Sequence, residues 1–190
     1  LKLAIEKKQS RDVYGRLFES YCLSELRTPG RRLFYRPLSR TARGVNVVGR
    51  LIPWMTSPKE LGTMLFNGVT AANITKTKSR KPVLWQPVVH TFPVGDAFLV
   101  ECDSSGAWTN TLIQTTVQNA HPATAGCVQS LFDDLAGKGL PVTRIVWVVP
   151  CGVDFGHQRL AGNVSLPIYD NVPHYLVQML PDHEYCTSWA

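Results

Sequence analysis

No apolar run in this sequence approaches the ~20 residues that a membrane-spanning helix needs. The longest strongly apolar stretch, residues 145–151, has the length of a strand. No two of the five cysteines (Cys22, Cys102, Cys127, Cys151, Cys186) stand as a CxxC pair, and none combines with histidine at a zinc-site spacing. An odd, scattered set reads as free thiols in a reducing compartment. A charged-then-apolar leader with a cleavage site is missing, and the first residue is Leu1, so the chain reads as a fragment of a longer protein. There is no internal repeat and no low-complexity tract. With 44% hydrophobic and 18% charged residues in 190, intrinsic disorder, collagen and coiled coil are excluded as the main state. The length suits a single domain.

Acidic residues are scarce in the first half. Residues 1–82 carry 17 Lys and Arg against 5 Asp and Glu, whereas residues 83–190 carry 3 against 9. Such asymmetry points to a polyanion partner for the first half, or else to a solvated basic surface. The candidate phosphate contacts are Arg31, Arg32, Arg36, Arg40, Arg43, Lys76, Lys78, Arg80 and Lys81. They are interleaved with Phe34, Tyr35 and Trp54, whose rings could stack on unpaired bases.

Periodicity predicts a helix over residues 1–27, stopped by Thr28-Pro29-Gly30. It predicts strands over 31–37 and 45–54, and a helix that starts near Ser57-Pro58 and carries Leu61, Met64 and Leu65. The basic run 75–82 reads as an exposed loop. In the second half strands are expected over 83–89, 96–101, 111–117 and 144–149, with a turn at Asp103-Ser-Ser-Gly106 and a helix over 124–135. Residues 169–180 are a last strand or helix. The sum is a mixed α/β domain. Residues 1–82 form its basic, sheet-leading part and 83–190 its sheet core.

Two strands carry the candidate chemistry. Alternation puts Leu112, Gln114 and Thr116 on one face and Ile113, Thr115 and Val117 on the other. Buried without a hydrogen bond, Gln114 and Thr116 would cost ~1–3 kcal/mol each. They read either as a polar site at a sheet end, beside Asp96 of the neighbouring strand, or as a half-exposed Thr-rich strand. His121 reads as a proton carrier or phosphate donor near that site, or as the start of a helix. Glu19 of the first helix, taken alone, reads as a solvated carboxylate. Gln158 could return to the site after the strand 144–149. The remaining histidines, His90, His157, His174 and His183, show no pairing pattern. Gly44-Val-Asn-Val-Val-Gly49-Arg50-Leu51 is not a phosphate loop: Arg replaces the Lys, and Leu replaces the Ser/Thr that would hold Mg²⁺.

An acid entering one strand and an alternating polar pair on the next resemble the PD-(D/E)xK, restriction-endonuclease-like fold. More specifically, several runs resemble the C-terminal region of trypanosomatid retrotransposon hot spot (RHS) proteins and the related Crinkler effectors. They are Val83-Leu-Trp-Gln-Pro87, Thr91-Phe-Pro-Val-Gly-Asp-Ala-Phe-Leu-Val100, Leu112-Ile-Gln-Thr-Thr-Val117 and His121-Pro-Ala-Thr-Ala125, with the strand ending at Pro150 and Gln158 beyond it. Tyr14-Gly-Arg-Leu-Phe-Glu19 resembles the first helix of such nucleases.

The resemblance implies a mixed sheet flanked by helices and a domain descended from a metal-dependent nuclease. It implies Asp96 as Mg²⁺ ligand, Gln114 at the second acid, Glu19 as supplementary ligand and Thr116 where the family has Lys. It also implies nuclear association and an upstream P-loop NTPase in the same protein. Because Gln114 and Thr116 depart from the pattern, a non-catalytic module that binds nucleic acid or protein and serves that NTPase is the alternative. A scaffold for the NTPase that binds no nucleic acid alone is a third reading.

Overall fold

The computed structural model describes residues 8–41, 44–47, 50–56, 61–66, 73–77, 80–88, 94–117, 123–152, 155 and 166–179; at 8–12, 40, 41, 44–47, 55 and 56 only the backbone is described. The first helix, α1 (Lys8–Arg27), buries Phe18, Cys22, Leu23 and Leu26, which recur at steps of three and four. Gly30, at φ 78°, turns the chain out of it. Four strands follow: β1 (Arg32–Thr41), β2 (Gly44–Val47), β3 (Ile52–Thr56) and β4 (Gly62–Phe66).

The second half supplies β5 (Val83–Pro87), β6 (Ala97–Cys102) and β7 (Trp108–Thr115), then α2 (Ala125–Gly137) and β8 (Val142–Pro150). The short α3 (Pro167–Asp170) and β9 (His174–Met179) complete it. Among the described residues the sheet runs β2-β1-β9-β8-β7-β6-β5-β4, and β3 pairs with β1. β5, β6 and β7 form an antiparallel meander; β8 then joins β7 in parallel across α2, and β9 joins β8 in parallel. The fold is mixed α/β. No helix among the described residues is long and apolar enough to cross a membrane.

Strand alternation divides the core between the two faces of the sheet. On one face Ala97, Leu99, Ile113, Val146 and Val148 pack with Phe18, Cys22, Leu23 and Leu26 of α1. On the other, Phe98, Val100, Leu112, Ile145 and Trp147 pack with Val128, Leu131, Phe132 and Leu135 of α2. Fully burying each such side chain contributes ~1.5–3 kcal/mol. The α2 stripe therefore fixes its helix to the sheet more firmly than intrinsic propensity could. Gly139, at φ 67°, closes α2 by bonding Ala136 O, and Leu140 N–H bonds Leu135 O.

Two expectations for the first half are corrected. Residues 62–66, expected in a helix, are the edge strand β4, paired in parallel with β5 from Gly62↔Val83 to Phe66↔Pro87. That pairing and the burial of Phe66 outweigh the helix-like spacing of Leu61, Met64 and Leu65, of which Met64 and Leu65 are exposed. The single strand expected over 45–54 is two strands, β2 and β3, each pairing with a different part of β1. The last segment, left open between strand and helix, contains both α3 and β9.

Candidate functional site

Asp96 stands immediately before β6, where the antiparallel register sets Ala97 against Ile113. Its N–H bonds Ile113 O at 2.9 Å. Gly95 makes this approach feasible. A Cβ there would fall 2.3 Å from Leu112 Cδ1 and 3.2 Å from Ile113 O, so a side chain would push the strand entry off β7. The Asp96 carboxylate thus sits at the end of the sheet where β7 and β8 finish.

Three donors converge on Asp96 Oδ2: the Thr115 N–H at 2.5 Å, the Thr115 hydroxyl at 2.7 Å and the Gln114 amide nitrogen at 2.9 Å. Gln114 also donates to Thr115 O at 3.2 Å. Gln114 and Thr115 are both buried, so these bonds offset the cost of burying a polar pair on a core strand. Alternation is respected: Thr115 belongs to the α1 face and Gln114 to the α2 face. A carboxylate at the strand end is reached from both.

The first helix adds acidity. Burial and then the nearby charge of Glu19 push the Asp96 pKa up to about 7, against the pull of the Thr115 bonds. Cys22, fully buried one turn further on, has its thiol pushed well up by burial and by the charges of Asp96, Glu25 and Glu19. That thiol is inert rather than nucleophilic. Glu25, also buried, is bridged by Arg31 at 2.8 Å.

Asp96 and Gln114 are thus hydrogen-bonded, the Glu19 charge acts on Asp96, and Thr116 is buried next in the chain. The hydroxyl that reaches Asp96 is that of Thr115, not Thr116; the Thr116 N–H bonds Val148 O at 2.9 Å. Gln114 turns its NH₂ group, not its carbonyl oxygen, toward Asp96. The sequence reading passed over Thr115 because it counted one face of β7. The signal that could have found it is Gly95, which lets Asp96 press against the strand end. His121 and Gln158 lie outside the described residues.

Among the described residues no group of three His, Cys, Asp and Glu side chains is placed to hold a metal ion. Asp96 and Glu19 are two carboxylates. Mg²⁺ is commonly held by one or two carboxylates with water or phosphate oxygens completing the shell, and here three donors already converge on Asp96 Oδ2.

The basic residues do not surround this site. Arg31 is committed to Glu25. Arg32 is exposed and Arg36 half-buried on β1; Arg40 lies on β1 with only its backbone described, and Arg43 and Lys78 lie outside the described residues. Lys76, Arg80 and Lys81 are exposed at the opposite end of the central strands, where β6 finishes and β7 and β8 start. Five residue steps along β6 separate the two ends, ~17 Å at ~3.3 Å per residue. Tyr35 is buried against Tyr175 and Trp54, with ring centroids 4.1 and 6.2 Å away, so it is a core residue and not a base-stacking platform.

His174 has a structural place. It is buried, accepts at Nδ1 from Trp147 Nε1 at 3.0 Å, and places Nε2 3.2 Å from Tyr169 O. With Nδ1 accepting, the ring hydrogen sits on Nε2. Cys22, Cys102 and Cys127 are free thiols, whereas Cys151 is disulfide-bonded, which departs from the all-thiol expectation. No family model, curated protein or solved structure matches the chain.

Proposed function

We propose that this chain is a nucleic-acid-acting domain of a nuclear RHS- or Crinkler-type protein, descended from a metal-dependent PD-(D/E)xK nuclease. One observation carries the reading: Asp96, at the entry of β6, is bonded to the polar pair of β7 and lies close enough to α1 for the Glu19 charge to act on it. A helix before the sheet, an antiparallel meander and a helix leading to a parallel strand agree with a restriction-endonuclease-like core.

In this reading Asp96 and Glu19 hold Mg²⁺, which when bound supplies an activated water and screens charge on the reacting phosphate. Thr115 and Gln114 hold the Asp96 carboxylate in place, and Thr116 stands where the family has Lys. That position supplies no cation. Losing one preorganised charge costs ~10²–10³ in rate. Full nuclease activity is therefore not expected, and slow cleavage is.

The second reading is a non-catalytic nucleic-acid- or protein-binding module serving an upstream P-loop NTPase. It is favoured by the three donors that already occupy Asp96 Oδ2. Cleavage of labelled single- and double-stranded DNA and RNA with Mg²⁺, Mn²⁺ or EDTA separates the two. Metal-dependent cleavage lost in Asp96→Ala supports the first reading. No cleavage, and no Mg²⁺-induced rise in melting temperature that Asp96→Asn removes, defeats it in favour of the second.

A further inference from the structure

The end of the sheet opposite Asp96 has a construction of its own. Lys76 and Arg80 come from the exposed basic run between β4 and β5, and each is set against a glycine turn of another element. The Lys76 ammonium rests on Gly139, at the C-terminal end of α2, where an added Cβ would fall 2.7 Å from Nζ. The Arg80 guanidinium lies over Gly106, in the β6–β7 turn, with Nη1 3.8 Å from where a Cβ would be. Both glycines have positive φ, 67° and 88°. Arg80 does too, at 54°, a conformation that non-glycine residues adopt at a cost. Its N–H bonds Thr77 O, which closes the loop on itself.

The carboxylates nearby have partners of their own, though Asp103 is held by neutral donors and keeps its charge. Asp103 Oδ1 accepts from Ser105 N–H, the Ser105 hydroxyl and Ala107 N–H at 2.9, 2.6 and 2.9 Å, and Asp134 pairs with Lys138 at 2.8 Å. Among the described residues neither Lys76 nor Arg80 has an ion pair. Two exposed cations held over two turns, at the rim of a sheet, present a face that an anion can approach.

We propose that this rim is a phosphate-backbone docking surface, with Lys76 and Arg80 as its anchors, which grips nucleic acid independently of the acidic end ~17 Å away. The inference rests on nucleic acid being the partner. It adds that grip and chemistry are at opposite ends of the strands and can be lost separately.

The test is fluorescence anisotropy of a labelled 20-base-pair DNA duplex, in EDTA, from 50 to 200 mM salt. Wild type, Lys76→Ala/Arg80→Ala and the charge-keeping Lys76→Arg/Arg80→Lys are compared, each checked for folding by circular dichroism. The double alanine variant should lower the log–log salt slope by about 2, since each phosphate contact contributes about 0.9. The affinity lost by wild type across that salt range should then shrink about ten-fold in the variant. The charge-keeping exchange should retain the wild-type slope.

An unchanged slope in the double alanine variant overturns the proposal, as does loss of the wild-type slope in the charge-keeping exchange. Competition by polyglutamate as strong as by unlabelled duplex overturns it too, in favour of a general polyanion surface. Absence of cleavage with the expected slope change leaves it standing while the nuclease reading fails. Cleavage with no slope change does the reverse.

Discussion

Thr115 gives both of its donors to one oxygen of Asp96, the backbone N–H at 2.5 Å and the hydroxyl at 2.7 Å. A two-point hold of this kind fixes the direction of the carboxylate as well as its position, and it favours the charged form against the burial that disfavours it. Thr115→Val should keep the backbone bond and lose the hydroxyl bond. The expected cost is ~1.5–3 kcal/mol, as for a hydrogen bond to a charged group, with the Asp96 pKa moving further up. Urea unfolding and ¹³C titration of the Asp96 carboxyl group check both. An equal response from Thr116→Val would remove Thr115 from its assigned place.

Asp96 should also leave a mark on the pH dependence of stability. Folding pushes its pKa up to about 7, so the folded chain binds the proton more tightly than the unfolded chain does. The contribution is fully present below the unfolded value near ~4 and is lost as pH rises through about 7, at no more than ~1.4 kcal/mol per pH unit. Asp96→Asn has no such proton to lose. Its stability relative to wild type should climb between these limits and level off above them. A difference that is flat from pH 4 to pH 8 would refute the assignment.

Gly95→Ala should be destabilising out of proportion to one methyl group. The added carbon meets Leu112 Cδ1 at 2.3 Å and the Ile113 carbonyl oxygen at 3.2 Å; the leucine can move, but the backbone oxygen cannot do so without β7. Overpacking of this type costs ~1–3 kcal/mol. Because the strain falls on the residue before Asp96, Mg²⁺-induced stabilisation should weaken as well. Thermal melts with and without the ion would show whether the two effects travel together.

Trp147, the neighbour of Gln114 across the β7–β8 ladder, forms a buried pair with His174. His174→Phe removes the acceptor of a buried indole N–H and should cost ~1–3 kcal/mol. Trp147→Phe leaves the imidazole nitrogen without its donor. If the two are coupled, the double variant should be more stable than the sum of the single losses implies. Strict additivity in denaturant melts would argue against the bond.

Much of the second half was legible in the sequence, because its strands are rich in β-branched and aromatic residues and its helix is marked by Val128, Leu131, Phe132 and Leu135 and closed by glycine. The first half was less legible. Met64 and Leu65 are exposed on an edge strand, so their apolar character carries no information about a buried face. β2 and β3 take their identity from β1, a partner that local patterning cannot see. At the site, alternation and strand neighbourhood put Gln114 beside Asp96, whereas Glu19 entered only through the resemblance of the first helix. Alternation passed over Thr115, because a carboxylate at a strand end can reach residues of both faces. The separation of Lys76 and Arg80 from Asp96 depends on strand direction, which composition does not encode.

β1 takes β9 as its antiparallel neighbour, with Arg36 against Leu176 and Leu38 against His174. A strand at residues 32–41 therefore waits for one at 174–179. While the chain emerges from the ribosome, β1 can form hairpins with β2 and β3 but has no place in the main sheet until residues 174–179 are free. Pairings this distant in sequence slow folding and leave a strand edge open in the meantime. A chain cut before β9 should keep its central meander yet release β1, β2 and β3 together as one protease-sensitive unit.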